Sequence, residues 1–246
     1  MPAPRVPLLD ADPATPFPLA DSALRDPDGL LAAGGDLSPR RLLDAYAHGI
    51  FPWYSRGQPI LWWSPDPRMV FRTDGVHLSR RFRRALRGLP WIANADTAFH
   101  AVVAACASTP RPGQRGTWIT PEMREAYGEL HRLGHAHSIE VRDGAGALVG
   151  GLYGVAIGRM FFAESMFSAS SGGSKAALAA LASRLASWGY PLLDAQVENP
   201  HLRSLGAEAW PRERFLREVA ALAAVPEPAG SWTARFGVVA AATLAG

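Results

Sequence analysis

The spacing of hydrophobic positions divides the chain into an irregular opening and a regular remainder. Up to residue 67 the apolar residues keep no sustained period, and twelve of the 21 prolines lie there. Short elements joined by turns are therefore expected. Within this part Ser38-Pro39 supplies a helix N-cap and a proline at the first helical position, and Gly49 ends that helix. The run FPWYSRGQPILWWSPDPR then holds three of the eight tryptophans among four prolines. It reads as a rigid, aromatic loop region with one short strand at 60–63.

After residue 70 the texture becomes regular. Ser79 caps an amphipathic helix that buries Phe82, Leu86 and Leu89 and turns Arg80, Arg81, Arg83, Arg84 and Arg87 outward. A second helix follows Asp96 and buries Phe99, Val102, Val103 and Cys106. A third, over 120–134, carries Met123, Ala126, Tyr127, Leu130 and Leu133 on one stripe. Period-two segments at 137–142, 148–157 and 160–168 predict three strands joined by the turns Asp143-Gly144-Ala145-Gly146 and Gly158-Arg159. A helix over 174–189, a strand over 192–197 and a helix over about 211–224 follow, and the Ala/Gly-rich tail after Pro226 reads as a weakly ordered end. The chain has no internal repeats. This order is that of an acyltransferase-type α/β (α+β) domain, in which substrates sit where the sheet splays open. The expected organisation is a small Pro/Trp-rich domain over 1–70 and a catalytic domain over 71–246.

Composition narrows the class. No apolar run approaches the length needed to span a bilayer, and the proline-broken start has no signal pattern. The one cysteine, Cys106, excludes an internal disulfide and fits a reducing compartment. A soluble, cytoplasmic protein is expected. Its formal charge of +3 conceals an asymmetry: between Arg68 and Pro90 lie seven arginines and one aspartate, a local +6 that leaves −3 for everything else. Such a patch is an electrostatic footprint for nucleic acid, and the nearby tryptophans suit bases as stacking platforms.

Several residues stand out chemically. Along LLDAQVEN, Asp194, Gln196 and Glu198 alternate with Leu193, Ala195 and Val197. An acid and an amide on one face of a central strand can orient and deprotonate a nucleophile, although the same alternation also describes an edge strand with a solvated face. Glu164 interrupts the apolar run MFFAESMF, where a charge must be paired, protonated or functional. Lys175, the only lysine, follows a glycine-rich turn at a helix start that lacks P-loop spacing. His131, His135 and His137 straddle a helix end without cysteines or a carboxylate pair, so no metal site is expected.

Taken together, the runs GLLAAGGDLSPRRLLDAYAHGIFPWYSRGQPILWWSPDPRMV, GTWITPEMREAYGELHRLGHAHSIEV, LVGGLYGVAIGRMFFAESMFS and LLDAQ…HLRSLGA, in that order and spacing, resemble the leucyl/phenylalanyl-tRNA–protein transferase family over roughly residues 27–218. The resemblance implies a small N-terminal domain and an acetyltransferase-like (GNAT-type) domain with a mixed, largely antiparallel sheet. It also implies an aminoacyltransferase that moves Leu, Phe or Met from aminoacyl-tRNA to proteins beginning with Arg or Lys, marking them for N-end-rule degradation. No cofactor or metal is implied, and a monomer is expected. By the same resemblance Asp194, Gln196 and Glu164 are the catalytic candidates; Gln196 is expected to orient the amine, Asp194 to polarise Gln196 or relay the proton, and Glu164 to help hold the acceptor end. Trp53 and Trp118 would hold the terminal adenosine, with Tyr46 and Tyr127 nearby. Leu152, Met166, Leu181 and Leu185 would form the side-chain pocket, while Arg80, Arg81, Arg83, Arg84, Arg87 and Lys175 would contact tRNA. The sequence departs from the family pattern at Ala163, Ala195, Gly172-Gly173 and Leu152. An acetyl-CoA-dependent N-acetyltransferase and a Fem-type aminoacyl-tRNA-dependent ligase are the alternatives; the pyrophosphate loop that the first requires does not precede Ser174.

Overall fold

The proline-punctuated opening folds around a small sheet whose strands are kept short by its turns. The computed structural model, which describes residues 6–109 and 117–246, places β1 (Leu8–Leu9), β2 (Leu30–Gly34), β3 (Phe51–Pro52) and β4 (Leu61–Trp63) in the order β1-β2-β4-β3. Residues 1–5 and Gly116, the first residue of the GTWIT run, lie outside the described residues. Helix α1 (Pro39–Ala47) starts as its sequence predicts: the Ser38 side chain accepts the Arg41 amide, with Pro39 at the first position. The tryptophans brace the loops. Trp62 is fully buried and donates to the Gly34 carbonyl at 2.9 Å, while Trp63 donates to the Trp53 carbonyl at 2.6 Å.

The regular remainder supplies an eight-stranded sheet made of β5 (Arg68–Arg72), β6 (Ile92–Ala95), β7 (Ala136–Arg142), β8 (Leu148–Ile157), β9 (Met160–Ser168), β10 (Leu192–Gln196), β11 (Glu208–Trp210) and β12 (Val239–Ala240). Its order is β11-β5-β10-β9-β8-β7-β6-β12. Every neighbouring pair is antiparallel except β9 and β10, which run parallel. This is the mixed, largely antiparallel sheet of an acetyltransferase-like domain. Because β5 pairs within it, residue 70 falls inside a strand of the large sheet. The strand carrying Asp194 is central, so its alternation is not that of a solvated edge.

Helices cover both faces. They are α2 (Arg80–Leu86), α3 (Phe99–Ser108), α4 (Pro121–Arg132), α5 (Gly173–Ser187), α6 (Pro200–Ser204), α7 (Arg212–Ala223) and α8 (Thr233–Phe236). Helix α5 packs one face through Leu178, Leu181 and Leu185. The other face shares a core with α3, α4, α7 and the small sheet. The approach of α5 demands glycine: a Cβ on Gly150 of β8 would stand 2.3 Å from the Gly173 backbone. Among the described residues, no helix is long and apolar enough to cross a membrane.

The tail after Pro226 is ordered, contrary to its composition. Trp232, Phe236, Val239, Ala241 and Ala245 are buried, and β12 pairs with β6 at the sheet edge. Trp232 stacks on His137 with centroids 3.8 Å apart, and its amide donates to Asp96 Oδ2 at 2.7 Å. Asp96 itself adopts φ +58°, a left-handed conformation that aspartate tolerates, and also accepts from His137 at 2.9 Å. A few large side chains dispersed among small ones are enough to dock the segment.

Replacing Trp232 with Ala should therefore destabilise the fold by about 3–5 kcal/mol, read as a shift in the denaturant midpoint. A loss below about 1 kcal/mol would mean that the tail contributes little to the core.

Candidate active site

Two bulges open the sheet where its parallel strands meet. Strands β9 and β10 pair only as far as Phe162 and Asp194. There the β8–β9 register jumps from Tyr153↔Ser165 to Gly154↔Ala163, leaving Glu164 out of the ladder. The β5–β10 register jumps from Val70↔Asp194 to Met69↔Gln196, leaving out Ala195. Gln196 takes φ +63°. A bulge reverses the alternation of a strand, so Ala163 and Met166, three residues apart, both lie on the α5 side, while Phe162 and Phe167 join the opposite core.

Beneath the opening, Asp194 is completely buried and held by Arg68. The guanidinium Nε and Nη2 donate to its two oxygens at 2.8 and 2.6 Å, and Nη1 donates to the Gly49 carbonyl at 2.9 Å. Phe51 and Phe215 flank the guanidinium with centroids 4.8 and 4.5 Å away. Asp194 Oδ1 also accepts the Gln196 amide at 2.9 Å, which fixes the bulge. Asp194 thus stands behind the cavity rather than in its lining. Arg68 leaves the surface patch to which its sequence position assigns it.

Glu164 is the buried acidic group that reaches the cavity. Its Oε1 accepts from Tyr46 at 2.7 Å and from Gln196 Nε2 at 2.7 Å, and its Oε2 accepts from Tyr127 at 2.9 Å. The two tyrosine hydroxyls also touch each other. An ionised carboxylate leaves two hydroxyl hydrogens to serve three oxygen–oxygen contacts; a protonated one adds the third and closes the ring. Burial agrees, pushing Glu164 up to about 7 against the lowering effect of Tyr46 and Tyr127, with the Asp194 charge adding to the rise. Burial, together with the nearby Glu164 charge, pushes both tyrosines well above their ordinary range, so they remain donors.

The cavity, about 360 Å³, is lined by an apolar set and a polar one. Leu152, Met166, Leu178, Leu193 and Phe71 form the apolar wall; Glu164, Gln196, Glu198, Asn199 and His201 form the polar side, and Trp53 and Trp118 stand at the edge. Tyr46 and Tyr127 are buried behind Glu164 and do not line it. Leu181 and Leu185 lie deeper, in the core beneath α5. Leu178, one turn nearer the open end of the sheet, takes the place expected of them. Nothing in its residue context singles out His201. Its pKa is lowered by burial and by the Lys175 charge.

The basic surface is smaller than the arginine count suggests. Arg80, Arg81, Arg84 and Arg87 are exposed. Arg83 donates to the carbonyls of Leu78 and Gly246 at 2.9 and 3.1 Å, and Arg87 to that of Ala245 at 3.3 Å, so these two also clasp the C-terminal segment. Lys175 Nζ sits 5.8 Å from the Phe82 ring centroid, joining this helix to the start of α5. Among the described residues no cluster of three or more His, Cys, Asp or Glu could hold a metal ion.

A deep apolar pocket beside a buried carboxyl–amide pair, at the split of an acetyltransferase-like sheet, defines an acyltransferase-type site. Residues 70–220 match the family model of leucyl/phenylalanyl-tRNA protein transferase, and residues 35–66 match the model of its N-terminal domain. The chain is 70% identical over 237 residues to the leucyl/phenylalanyl-tRNA–protein transferase of Xanthomonas euvesicatoria, covering 96% of this chain and 94% of that one. It is 68% identical over 239 residues to that of Xanthomonas campestris, covering 97% and 96%, and 62% identical over 230 residues to that of Xylella fastidiosa, covering 94% of each. The chain belongs to the leucyl/phenylalanyl-tRNA–protein transferase family and is an aminoacyltransferase.

The raised Glu164 pKa has a thermodynamic consequence. A carboxyl that holds its proton more tightly when folded contributes stability that is complete below its ordinary value of 4.5 and is lost as pH rises through about 7. Glu164→Gln mimics the neutral form. The stability of the native protein relative to this variant should fall between pH 5 and 8, by at most about 1.4 kcal/mol per pH unit. A difference independent of pH would show that Glu164 is ionised throughout.

Proposed function

We propose that this protein transfers leucine, phenylalanine or methionine from the 3′ end of charged tRNA to the α-amine of proteins beginning with arginine or lysine, in the cytoplasm, as a monomer, marking them for N-end-rule degradation. The observation that carries the reading is the placement of Glu164, with a pKa of about 7, at the rim of an apolar pocket and bonded to Gln196. The ester of an aminoacyl-tRNA is already activated, so the tasks left to the protein are alignment and proton transfer. An α-ammonium has a pKa of about 7.7–8.0, close enough to that of Glu164 for the carboxylate form to take its proton. Gln196, whose Nε2 is engaged by Glu164, keeps its carbonyl oxygen for an N–H of the amine. The amine nitrogen then attacks the ester carbonyl carbon, the ester C–O bond breaks, and the tRNA 3′ oxygen leaves as a hydroxyl carrying the proton that the nitrogen gives up on acylation. Asp194, with Arg68, holds the bulge that presents Gln196. The donor side chain fills the wall of Leu152, Met166 and Leu178, where each methylene is worth about 1–3 kcal/mol of discrimination. Trp53 and Trp118 take the terminal adenosine, and the exposed arginines grip backbone phosphates without reading sequence.

The direct test is transfer of labelled leucine from Leu-tRNA to peptides that differ only in an N-terminal Arg, Lys or Ala, without ATP or metal. Label on the Arg and Lys peptides alone supports the reading; transfer from none of Leu-, Phe- and Met-tRNA ends it. Glu164→Gln should then lower kcat by about 10²-fold or more with little change in KM for tRNA. A change confined to KM would make Glu164 a binding group only.

Reversing Arg80, Arg81 and Arg84 to Glu should raise KM for charged tRNA and flatten its salt dependence, by about 0.7–0.9 in the log–log slope for each phosphate that is no longer neutralised. A salt response identical to that of the native protein would place the tRNA elsewhere.

A further inference from the structure

Beside the reaction cavity lies a second one of about 460 Å³. The two share Trp53 and Trp118 as a common wall. The second is otherwise lined chiefly by Tyr54, Trp63, Leu61 and Gln58, from the proline-punctuated segment, and among the described residues no carboxylate lines it. Its aromatic surfaces are held in place: Trp63 donates to the Trp53 carbonyl at 2.6 Å, and their rings stand 5.6 Å apart at 59°. The Gln58 carboxamide is oriented too, because its Oε1 accepts the Ser55 amide at 2.8 Å and Nε2 is left to donate.

We infer that this second cavity is a subsite for the penultimate nucleotide of the donor tRNA, a cytidine. The inference rests on the proposed use of charged tRNA and extends it by one residue of the strand. If Trp53 and Trp118 hold the terminal adenosine, the strand has to leave past these same rings. A base on the far side of an intervening indole lies about two stacking distances away, roughly 7 Å, a span that one phosphodiester step covers. Aromatic walls bind any base by its face. The Gln58 Nε2 donor adds a preference, since the pairing edge of cytosine offers acceptors at O2 and N3, whereas uracil carries a hydrogen on N3. A basic acceptor peptide is the competing occupant, and a lining without carboxylates offers its cation no partner.

The experiment compares three donors on one Arg-peptide: the leucyl esters of adenosine, of cytidylyl-adenosine and of uridylyl-adenosine. For the native protein, kcat/KM should rise about tenfold from adenosine to cytidylyl-adenosine, with a smaller rise for the uridine compound. Trp63→Ala should bring the dinucleotide-to-nucleoside ratio close to one. Gln58→Ala should leave a stacking gain but remove the preference for cytidine. The ratio controls for damage to the fold, which lowers both donors together. No gain in the native protein, or a full gain in Trp63→Ala, overturns the inference while leaving the transferase reading intact. Transfer from none of these donors nor from Leu-tRNA would instead refute that reading, and the inference with it.

Discussion

A single buried ion pair organises this molecule. Asp194 and Arg68 both lie at zero exposure, and a charge so placed is tolerable only when every lone pair and hydrogen finds a partner. The partners come from all parts of the chain: the Gly49 carbonyl at the end of α1, rings from β3 and α7, and the Gln196 amide in the bulge of β10. The pair therefore pins the small sheet to the large one at the level where β9 and β10 part. Removing either charge strands the other, which makes the geometry of the opening a condition of folding itself.

What the bulges add is a division of labour between the faces of the sheet. On the α5 side, aliphatic residues shape a pocket; on the other, Tyr46 and Tyr127 surround Glu164 with donors. The carboxyl reaches both because it belongs to neither ladder. Burial pushes Glu164 up to about 7 while both hydroxyls stay well above their ordinary range, so one group in the network titrates within a fixed frame. On the proposed reading, this arrangement suits a reaction in which a proton is accepted from a nitrogen and no new oxygen nucleophile is generated.

Much of this is legible in the sequence, and the exceptions have physical causes. The caps at Ser38, Ser79 and Thr120 and the strand periods mark elements that the structure contains, because local chemistry decides them. Glu164 and Asp194 stand out because charge in an apolar run demands a reason. What pattern alone does not give is which member of a stripe reaches a cavity: Leu178, Leu181 and Leu185 share a helix face, and only the position of the sheet opening separates them. Arg68 looks like one more surface cation, since its partner lies 126 residues away. The tail misleads because its composition is dominated by alanine and glycine, whereas its docking depends on Trp232 and Phe236. Strands β6 and β12 are short and carry no strong period, and they exist only through their pairing.

The reversal of alternation in β9 has an evolutionary reading as well. In β9, Glu164, bonded to Tyr46, Tyr127 and Gln196, and Met166, on the apolar wall, stand only two residues apart yet have different neighbours. On the proposed reading, substitutions among apolar types at Leu152, Met166 or Leu178 would retune the choice of amino acid without disturbing Tyr46, Tyr127 or Gln196. A lineage could diversify its donor while inheriting its chemistry unchanged.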